Sequence, residues 1–157
     1  MKGNRMKIII IGAVAAGTSA AAKARRNSED AEIVIYEKDA YISYSGCGMP
    51  YYLGGLVRQL KELVPRDPAY FRSKYGVDVR IGHEVLRVDP AAKQVIVKNL
   101  ETGEIITDRY DTLILATGAR AVAPPLQGLD HPHVFMLRNI NDMNRICLLY
   151  TSPSPRD

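Results

Sequence analysis

Cysteine is scarce in this sequence, and its scarcity excludes one class of small protein. The 157 residues contain two cysteines, Cys47 and Cys147, which are too few for the disulfide scaffold of a small secreted domain and fit a reducing compartment such as the cytoplasm. Apolar runs are short, and none approaches the roughly 20 residues of a transmembrane helix, so no membrane partner is expected. Basic residues exceed acidic ones by only 21 to 17, and no nucleic-acid partner is expected without a clustered basic face.

Histidine is also sparse, while the overall composition is that of a globular protein. The three histidines at positions 83, 131 and 133 lack the spacing of metal ligands, so no metal site is predicted. A hydrophobic fraction of 46% and a charged fraction of 24% exclude wholesale disorder, fibrous repeats and coiled coils.

The beginning of the chain resembles a secretory signal peptide in composition, because basic residues precede an apolar stretch. Two features favour a different interpretation. The β-branched run Ile8–Ile11 is typical of a buried strand, and Gly12 and Gly17 interrupt the stretch where a signal peptide would stay continuous.

The pattern along the chain predicts an α/β fold. A strand over 7–12, a helix over 15–26 and a second strand over 32–37 form a βαβ unit, whose two strands should be parallel. Further predicted elements are a short helix over 68–75, strands over 77–88, 94–100 and 104–110 that form an antiparallel meander, and a buried strand over 112–116. The fold class is therefore a Rossmann-like βαβ unit with an antiparallel β-meander.

A glycine-flanked turn after the first strand indicates a phosphate-binding site. Gly12 and Gly17 stand at the first and sixth positions of the dinucleotide fingerprint, while Val14 replaces the middle glycine. The turn opens a helix, whose N-terminal amides would receive a pyrophosphate. Glu37 ends the second strand, where a carboxylate can accept hydrogen bonds from the adenosine ribose and would repel a 2′-phosphate. The alternative is a generic strand-to-helix turn with a surface glutamate.

Cys47 lies shortly before Pro50, a residue that favours the first turn of a helix. A thiol at a helix N-terminus is stabilised as the thiolate, which is the nucleophilic form. Small glycine neighbours leave room for a flat ring or a second sulfur to approach. The alternative is a buried structural cysteine, the common state of a lone cysteine.

Three segments carry a family resemblance: GAVAAGTSAAAKARR at 12–26, IYEKDAYISYSGCGMPYYLGG at 35–55 and YDTLILATGARAVAPP at 110–125. Together they resemble the N-terminal part of the single-cysteine FAD-dependent pyridine nucleotide-disulfide oxidoreductases. The coenzyme A-disulfide reductases are the most similar branch, and water-forming NADH oxidases and NADH peroxidases are relatives. The resemblance covers residues 6–146. Two-cysteine flavin disulfide reductases carry a second cysteine where Tyr52 stands here, so Cys47 would act alone.

The resemblance implies that the dinucleotide is FAD and that NAD(P)H is the co-substrate. Cys47 would be the catalytic residue beside the flavin, reducing CoA disulfide or a related persulfide or polysulfide by thiol–disulfide exchange. The implied cofactor contacts are Gly12, Ala13, Val14, Ala15, Ala16, Gly17, Glu37, Lys38, Thr117 and Gly118. The implied substrate contacts are Ser19, Lys23, Arg26 and Ser43, with Lys74 as a further candidate cation. The alternative for Lys23 and Arg26 is a solvated helix end.

The same resemblance predicts the domain organisation. Residues 1–119 would be the first segment of an FAD-binding domain, and 120–146, rich in proline, a linker toward an NAD(P)H-binding domain outside this chain. Residues 147–157 (CLLYTSPSPRD) show no periodicity and resemble a translated sequencing adapter; the alternative is an ordinary frayed terminus. Full-length members are expected to be homodimers, and this fragment alone is expected to bind FAD weakly and to be inactive.

Two other functions stay open at this point. In an NADH oxidase or peroxidase, the same cysteine would cycle through a sulfenic acid. In a non-catalytic dinucleotide-binding or redox-sensing module, Cys47 would be structural.

Overall fold

The computed structural model describes residues 5–151. Its strands are β1 (Lys7–Ile11), β2 (Glu32–Tyr36), β3 (Asp78–Arg80), β4 (His83–Asp89), β5 (Gln94–Asn99), β6 (Ile105–Arg109) and β7 (Thr112–Leu115). Its helices are α1 (Ala16–Asn27), α2 (Met49–Leu53), α3 (Leu60–Leu63), α4 (Pro68–Tyr75) and α5 (Ile140–Thr151), with a 3₁₀ turn at Gly46–Gly48. Within the described residues the chain forms two compact units, one of residues 5–44 with 64–118 and the other of residues 45–63 with 119–151.

A four-stranded parallel sheet in the order β3-β2-β1-β7 forms the centre of the first unit. The strands KIIII and EIVIY are continuous β-branched runs, which is typical of strands that are buried on both faces. Helix α1 connects the parallel strands β1 and β2, as the crossover of a βαβ unit requires. The predicted α/β fold class is confirmed.

Each face of the parallel sheet has its own core, because successive side chains of a strand point to opposite sides. On one face, Ile8 and Ile10 pack with Ala21 of α1 and Phe71 of α4. On the other face, the core cluster consists of Ile9, Val34, Tyr36, Val95 and Val97, so strand β5 of the meander covers this side.

The strand predicted over 77–88 is wrong as a single element. The chain breaks at Gly82, whose φ of 66° lies in the left-handed region that glycine adopts freely. Before the break, β3 adds to the parallel sheet beside β2; after it, β4 begins the antiparallel meander of order β4-β5-β6. The meander itself was predicted, and its register shifts once, between Val85 and Arg87.

A charged network joins the parallel sheet to the meander. The Tyr36 hydroxyl donates to Asp108 Oδ2 at 2.8 Å, and Lys7 Nζ donates to Asp108 Oδ1 at 2.7 Å. Lys7 also pairs with Glu32 at 2.9 Å, and Arg80 donates to the Tyr36 hydroxyl at 3.0 Å. Burial and the hydrogen bond to Asp108 raise the pKa of Tyr36. Burial alone would raise the pKa of Asp108, but hydrogen bonds from Lys7 and Tyr36 outweigh it and hold that pKa below its ordinary value.

Helix α5 lies in a stretch for which the sequence suggested only a linker and an unstructured tail. Its start is capped reciprocally: Asn139 Oδ1 accepts from the Asp142 amide at 2.9 Å, and Asp142 Oδ2 accepts from the Asn139 amide at 3.2 Å. The helix runs through Cys147 to Thr151, and its apolar residues Ile140 and Met143, three positions apart, are buried. Residues 152–157 of the predicted tail lie outside the described residues. Among the helices of the described part, none is both long and apolar enough to cross a bilayer.

Candidate functional site

The turn between β1 and α1 is built so closely that it requires glycine at two positions. Gly12 has a φ of 102°, and a Cβ built on it would overlap the carbonyl oxygen of Ala116 at the end of β7. A Cβ on Gly17 would overlap the carbonyl oxygen of Gly12. The first and sixth positions of the fingerprint therefore have the packing roles that a dinucleotide-binding turn demands.

The backbone amides of this turn divide into two groups. The Gly12 amide donates to the Tyr36 carbonyl at 2.9 Å, and the Ala13 amide donates to Glu37 Oε2 at 2.8 Å. Helix α1 begins after Ala15 without a side-chain cap, so its first amides are available to an anion at the positive end of the helix dipole. Of the predicted phosphate contacts, Val14, Ala15, Ala16 and Gly17 therefore present amides for this purpose, whereas Ala13 is occupied by Glu37.

Glu37 is a buried carboxylate at the end of β2. It is 8% exposed, and besides the Ala13 amide it accepts the Asp39 amide on Oε1 at 3.0 Å. An ionised carboxylate offers about four acceptor positions, so these two bonds leave capacity for further donors such as ribose hydroxyls. Glu37 is therefore not the surface glutamate of the alternative interpretation.

A cavity of about 190 Å³ brings together Glu37 and Lys38, the two predicted adenosine-side residues, with Gly12 and Thr117. It is lined by Ile11, Gly12, Tyr36, Glu37, Lys38, His83, Glu84, Val85 and Thr117. Drug-sized ligands occupy roughly 300–1,000 Å³, so this cavity matches one end of a dinucleotide rather than the whole. Gly118, the next residue after Thr117, has a φ of 68° and does not line the cavity.

His83 is a lining residue that the sequence analysis missed. Its Nδ1 lies 2.8 Å from the Ile81 carbonyl oxygen, and its ring centroid lies 6.2 Å from that of Tyr36. No spacing in the sequence connects His83 to Glu37, because the two meet only through the chain reversal at Gly82. The two residues are hydrogen-bonded through their backbones: the His83 amide donates to the Glu37 carbonyl at 2.9 Å.

A second cavity of about 190 Å³ lies between α1 and the chain around α4. Its lining residues are Thr18, Ser19, Ala22, Arg26, Arg66, Tyr70, Phe71 and Tyr75. Two of the predicted substrate contacts, Ser19 and Arg26, therefore share one cavity. The other two, Lys23 and Ser43, do not line it.

Two cations lie over the ring of Tyr70, an aromatic residue that lines this second cavity. The Arg66 guanidinium lies 5.6 Å from the Tyr70 ring centroid, and Lys74 Nζ lies 5.3 Å from the same centroid. The hydrogen bond from Lys74 lowers the pKa of Tyr70. No sequence motif pointed to Arg66 or Tyr70 as lining residues. The sequence does mark the helix that carries Tyr70, because Asp67-Pro68 begins α4 and the Asp67 side chain accepts the Tyr70 amide at 2.8 Å.

Cys47 belongs to the second compact unit, where it lies in the 3₁₀ turn Gly46–Gly48 immediately before α2. The residue is exposed in this chain, which does not match the buried structural cysteine of the alternative interpretation. Gly46 has open space around its Cα, whereas a Cβ on Gly48 would overlap the Leu63 side chain. Pro50 stands in the first turn of α2, as predicted.

The fold and the glycine turn are typical of the dinucleotide-binding class of α/β proteins, and comparison with known proteins identifies the family. Residues 6–151 match the family described as pyridine nucleotide-disulphide oxidoreductase, and the chain belongs to this family. The family predicted from the sequence is confirmed.

Two curated relatives and one solved structure illustrate the similarity. A coenzyme A disulfide reductase of Staphylococcus haemolyticus is 39% identical over 140 residues, which are 89% of this chain and 31% of the relative. An NADH oxidase of Enterococcus faecalis is 34% identical over 141 residues, 90% of this chain and 31% of the relative. The structure of an NAD-dependent persulfide reductase from A. fulgidus has a TM-score of 0.86 at 35% identity, covering 92% of this chain and 27% of that one. The chain thus spans about a third of its curated relatives.

Proposed function

We propose that this chain is the first segment of the FAD-binding domain of an NAD(P)H-dependent oxidoreductase, which reduces CoA disulfide or a related persulfide through Cys47. The similar proteins named above are a coenzyme A disulfide reductase, a persulfide reductase and an NADH oxidase, which supports this class of chemistry. The two cysteines and the NAD(P)H requirement favour a reducing compartment, the cytoplasm.

The residues of the first unit fit FAD. The turn needs glycine at positions 12 and 17, the first amides of α1 can receive a pyrophosphate, and Glu37 has acceptor capacity for a ribose. Lys38 would contact the adenosine end of FAD, and Thr117 would lie beside the cofactor. When bound, FAD would relay an electron pair from NAD(P)H to sulfur.

The observation that carries the CoA assignment is the cavity shared by Ser19 and Arg26. Arg66 lines the same cavity and lies over the ring of Tyr70, and Lys74, which does not itself line the cavity, lies over the same ring. CoA combines an adenine ring with several phosphate groups, and such a ligand is recognised by cations together with aromatic rings.

The chemistry assigned to Cys47 is thiol–disulfide exchange. The Cys47 thiolate attacks one sulfur of CoA disulfide, the S–S bond breaks, and one CoA leaves as thiolate while the other stays as a Cys47–S–S–CoA mixed disulfide. Two electrons, which NAD(P)H supplies, then cleave this mixed disulfide, so that the Cys47 thiolate is restored and the second CoA leaves as thiolate.

Incubating this chain with CoA disulfide and locating the adduct by mass spectrometry tests the exchange step. We expect a CoA adduct on Cys47 that forms faster than any adduct on Cys147, the other cysteine of the sequence. In this chain, Cys147→Ser should leave the adduct on Cys47 unchanged. In the full-length protein, Cys47→Ser should abolish NAD(P)H-dependent reduction of CoA disulfide. An active Cys47→Ser protein would show that Cys47 takes no part in the reaction.

A charge-removing pair of variants tests CoA recognition separately from thiol reactivity. Arg26→Gln should slow adduct formation with CoA disulfide but not with a small uncharged disulfide, because only the former carries phosphates. Arg87→Gln, at an exposed position of the meander, is the matched control and should change neither rate. Equal slowing of both disulfides by Arg26→Gln would contradict the assignment of the cavity.

The similarity to the Enterococcus faecalis NADH oxidase supports the alternative function, an NADH oxidase or peroxidase. It predicts a different state of Cys47. A mass increase of one oxygen atom on Cys47 in the purified full-length protein, with no CoA adduct, would support a sulfenic acid and this alternative.

A further inference from the structure

Ser43 adopts a backbone conformation that residues with a side chain seldom adopt. Its φ is 49°, in the left-handed region, and among the described residues only Lys93 shares this feature without being glycine. Lys93 lies in the tight connection between β4 and β5, where positive φ values are ordinary. Ser43 lies in the long connection after β2, where no hairpin demands it, so another constraint must hold it there.

That constraint is a contact with the phosphate-binding turn. The Ser43 amide donates to the Ala13 carbonyl at 2.8 Å. The Ala13 amide in turn donates to Glu37 Oε2 at 2.8 Å. Both backbone groups of Ala13, which is fully buried, are thus held by one segment of chain, residues 37–43.

The hydrogen bonds to the amide and the carbonyl of Ala13 determine the orientation of the peptide group between Ala13 and Val14. The Ala13 carbonyl belongs to the same planar peptide as the Val14 amide, so fixing the carbonyl fixes the direction in which that N–H points. This amide is the first of those that the turn leaves for an anionic ligand.

We propose that Ser43 is a positioning residue of the phosphate-binding turn, acting through its left-handed backbone rather than through its hydroxyl. Resting on the proposed function, the inference adds that the chain after β2 holds the Val14 amide in the direction that the FAD pyrophosphate requires. This role uses the backbone of Ser43, so the predicted contact of its side chain with substrate stays a separate prediction.

Substitutions at position 43 in the full-length protein separate the backbone from the hydroxyl. Ser43→Gly and Ser43→Asn keep access to positive φ, whereas Ser43→Val does not, because β-branched residues avoid this region. We expect the FAD dissociation constant, measured by fluorescence quenching on the apoprotein, to stay within about twofold for the first two and to rise about tenfold for Ser43→Val. The ³¹P resonances of bound FAD should shift in Ser43→Val and stay unchanged in Ser43→Gly.

Ser43→Thr keeps the test decisive should Ser43→Val fail to fold. Ser43→Thr keeps the hydroxyl but is β-branched and avoids positive φ, whereas Ser43→Gly removes the hydroxyl and adopts positive φ without penalty. Weaker FAD binding by Ser43→Thr than by Ser43→Gly supports the inference, and weaker binding by Ser43→Gly than by Ser43→Thr would overturn it by assigning the effect to the hydroxyl. FAD affinity that is equal in the parent and every folded variant also overturns it, while a parent protein unable to bind FAD overturns the proposed function itself.

Discussion

Replacing Asp108 with asparagine would test whether the charged network between the parallel sheet and the meander stabilises the fold. The substitution preserves the shape of the side chain and an oxygen for the Tyr36 hydroxyl. It removes the charge that attracts Lys7 Nζ, 2.7 Å away.

The magnitude follows from how far this pair is removed from solvent. Hydrogen bonds to charged groups contribute about 1.5–3 kcal/mol each, and the Lys7 and Asp108 side chains are 22% and 17% exposed. Lys7 keeps its contact with Glu32, whose side chain is 48% exposed and whose pairing is therefore weak. We expect Asp108→Asn to lower the free energy of unfolding by about 2 kcal/mol, which is about 4–8 °C in Tm for a chain of this size.

The direction of the pKa shift of Asp108 determines how the destabilisation by Asp108→Asn changes with pH. The pKa of Asp108 is lower in the folded protein than its ordinary value. Its contribution to stability is therefore complete above the unfolded-state pKa and is lost as pH falls through the folded-state pKa. The difference in stability between parent and Asp108→Asn should be largest at neutral pH and should shrink as pH falls below the ordinary pKa of aspartate.

Chemical denaturation followed by circular dichroism at several pH values would measure these differences. Glu101→Gln is the matched control, because Glu101 is exposed in the turn between β5 and β6, and we expect it to change stability by less than about 0.5 kcal/mol. A destabilisation by Asp108→Asn no larger than that of the control, or one that is independent of pH, would refute this account of the network.

Two further predictions concern packing and helix ends. Gly17→Ala should lower the free energy of unfolding by more than about 3 kcal/mol, because the alanine Cβ would overlap the backbone of Gly12. Gly46→Ala is the control in the same denaturation assay and should be nearly neutral, because no atom lies within 4 Å of a Cβ built there. Arg25→Lys should cost about 1–2 kcal/mol, because Arg25 donates to the Tyr75 carbonyl at 2.7 Å and to that of Gly76 at 3.0 Å. Arg26→Lys, at an exposed position, should not change Tm, and equal Tm values for the two lysine variants would contradict this role of Arg25.

The predictable part of the fold consists of elements whose own residues determine them. The β-branched runs of β1 and β2, the alanine-rich α1 and the Asp-Pro start of α4 all carry local signals, and each was predicted within one or two residues of its bounds. The break at Gly82 was not predictable in this way, since the apolar pattern continues across it and only tertiary packing assigns β3 and β4 to different sheets.

Helix α5 did have a local signal that the sequence analysis overlooked. Asn139 and Asp142 have the spacing of a capping box, and their side chains exchange hydrogen bonds with each other's amides. For the candidate site, motifs found the glycine turn and Glu37. They could not find His83 or Arg66, because these residues reach the two cavities only through the folding of distant segments.

The pairing of β1 with β7 has a consequence for how the protein acquires its dinucleotide site during synthesis. The Lys7 amide donates to the Asp111 side chain, 104 residues later in the chain, and the Ala116 carbonyl closes against Gly12 only once that strand is in place. On the ribosome, β1, α1 and β2 emerge first, but one wall of the glycine turn is translated after the whole meander. Such long-range pairing is slow to form, so the glycine turn is completed only after β7 has been translated, and the early βαβ unit alone does not contain it.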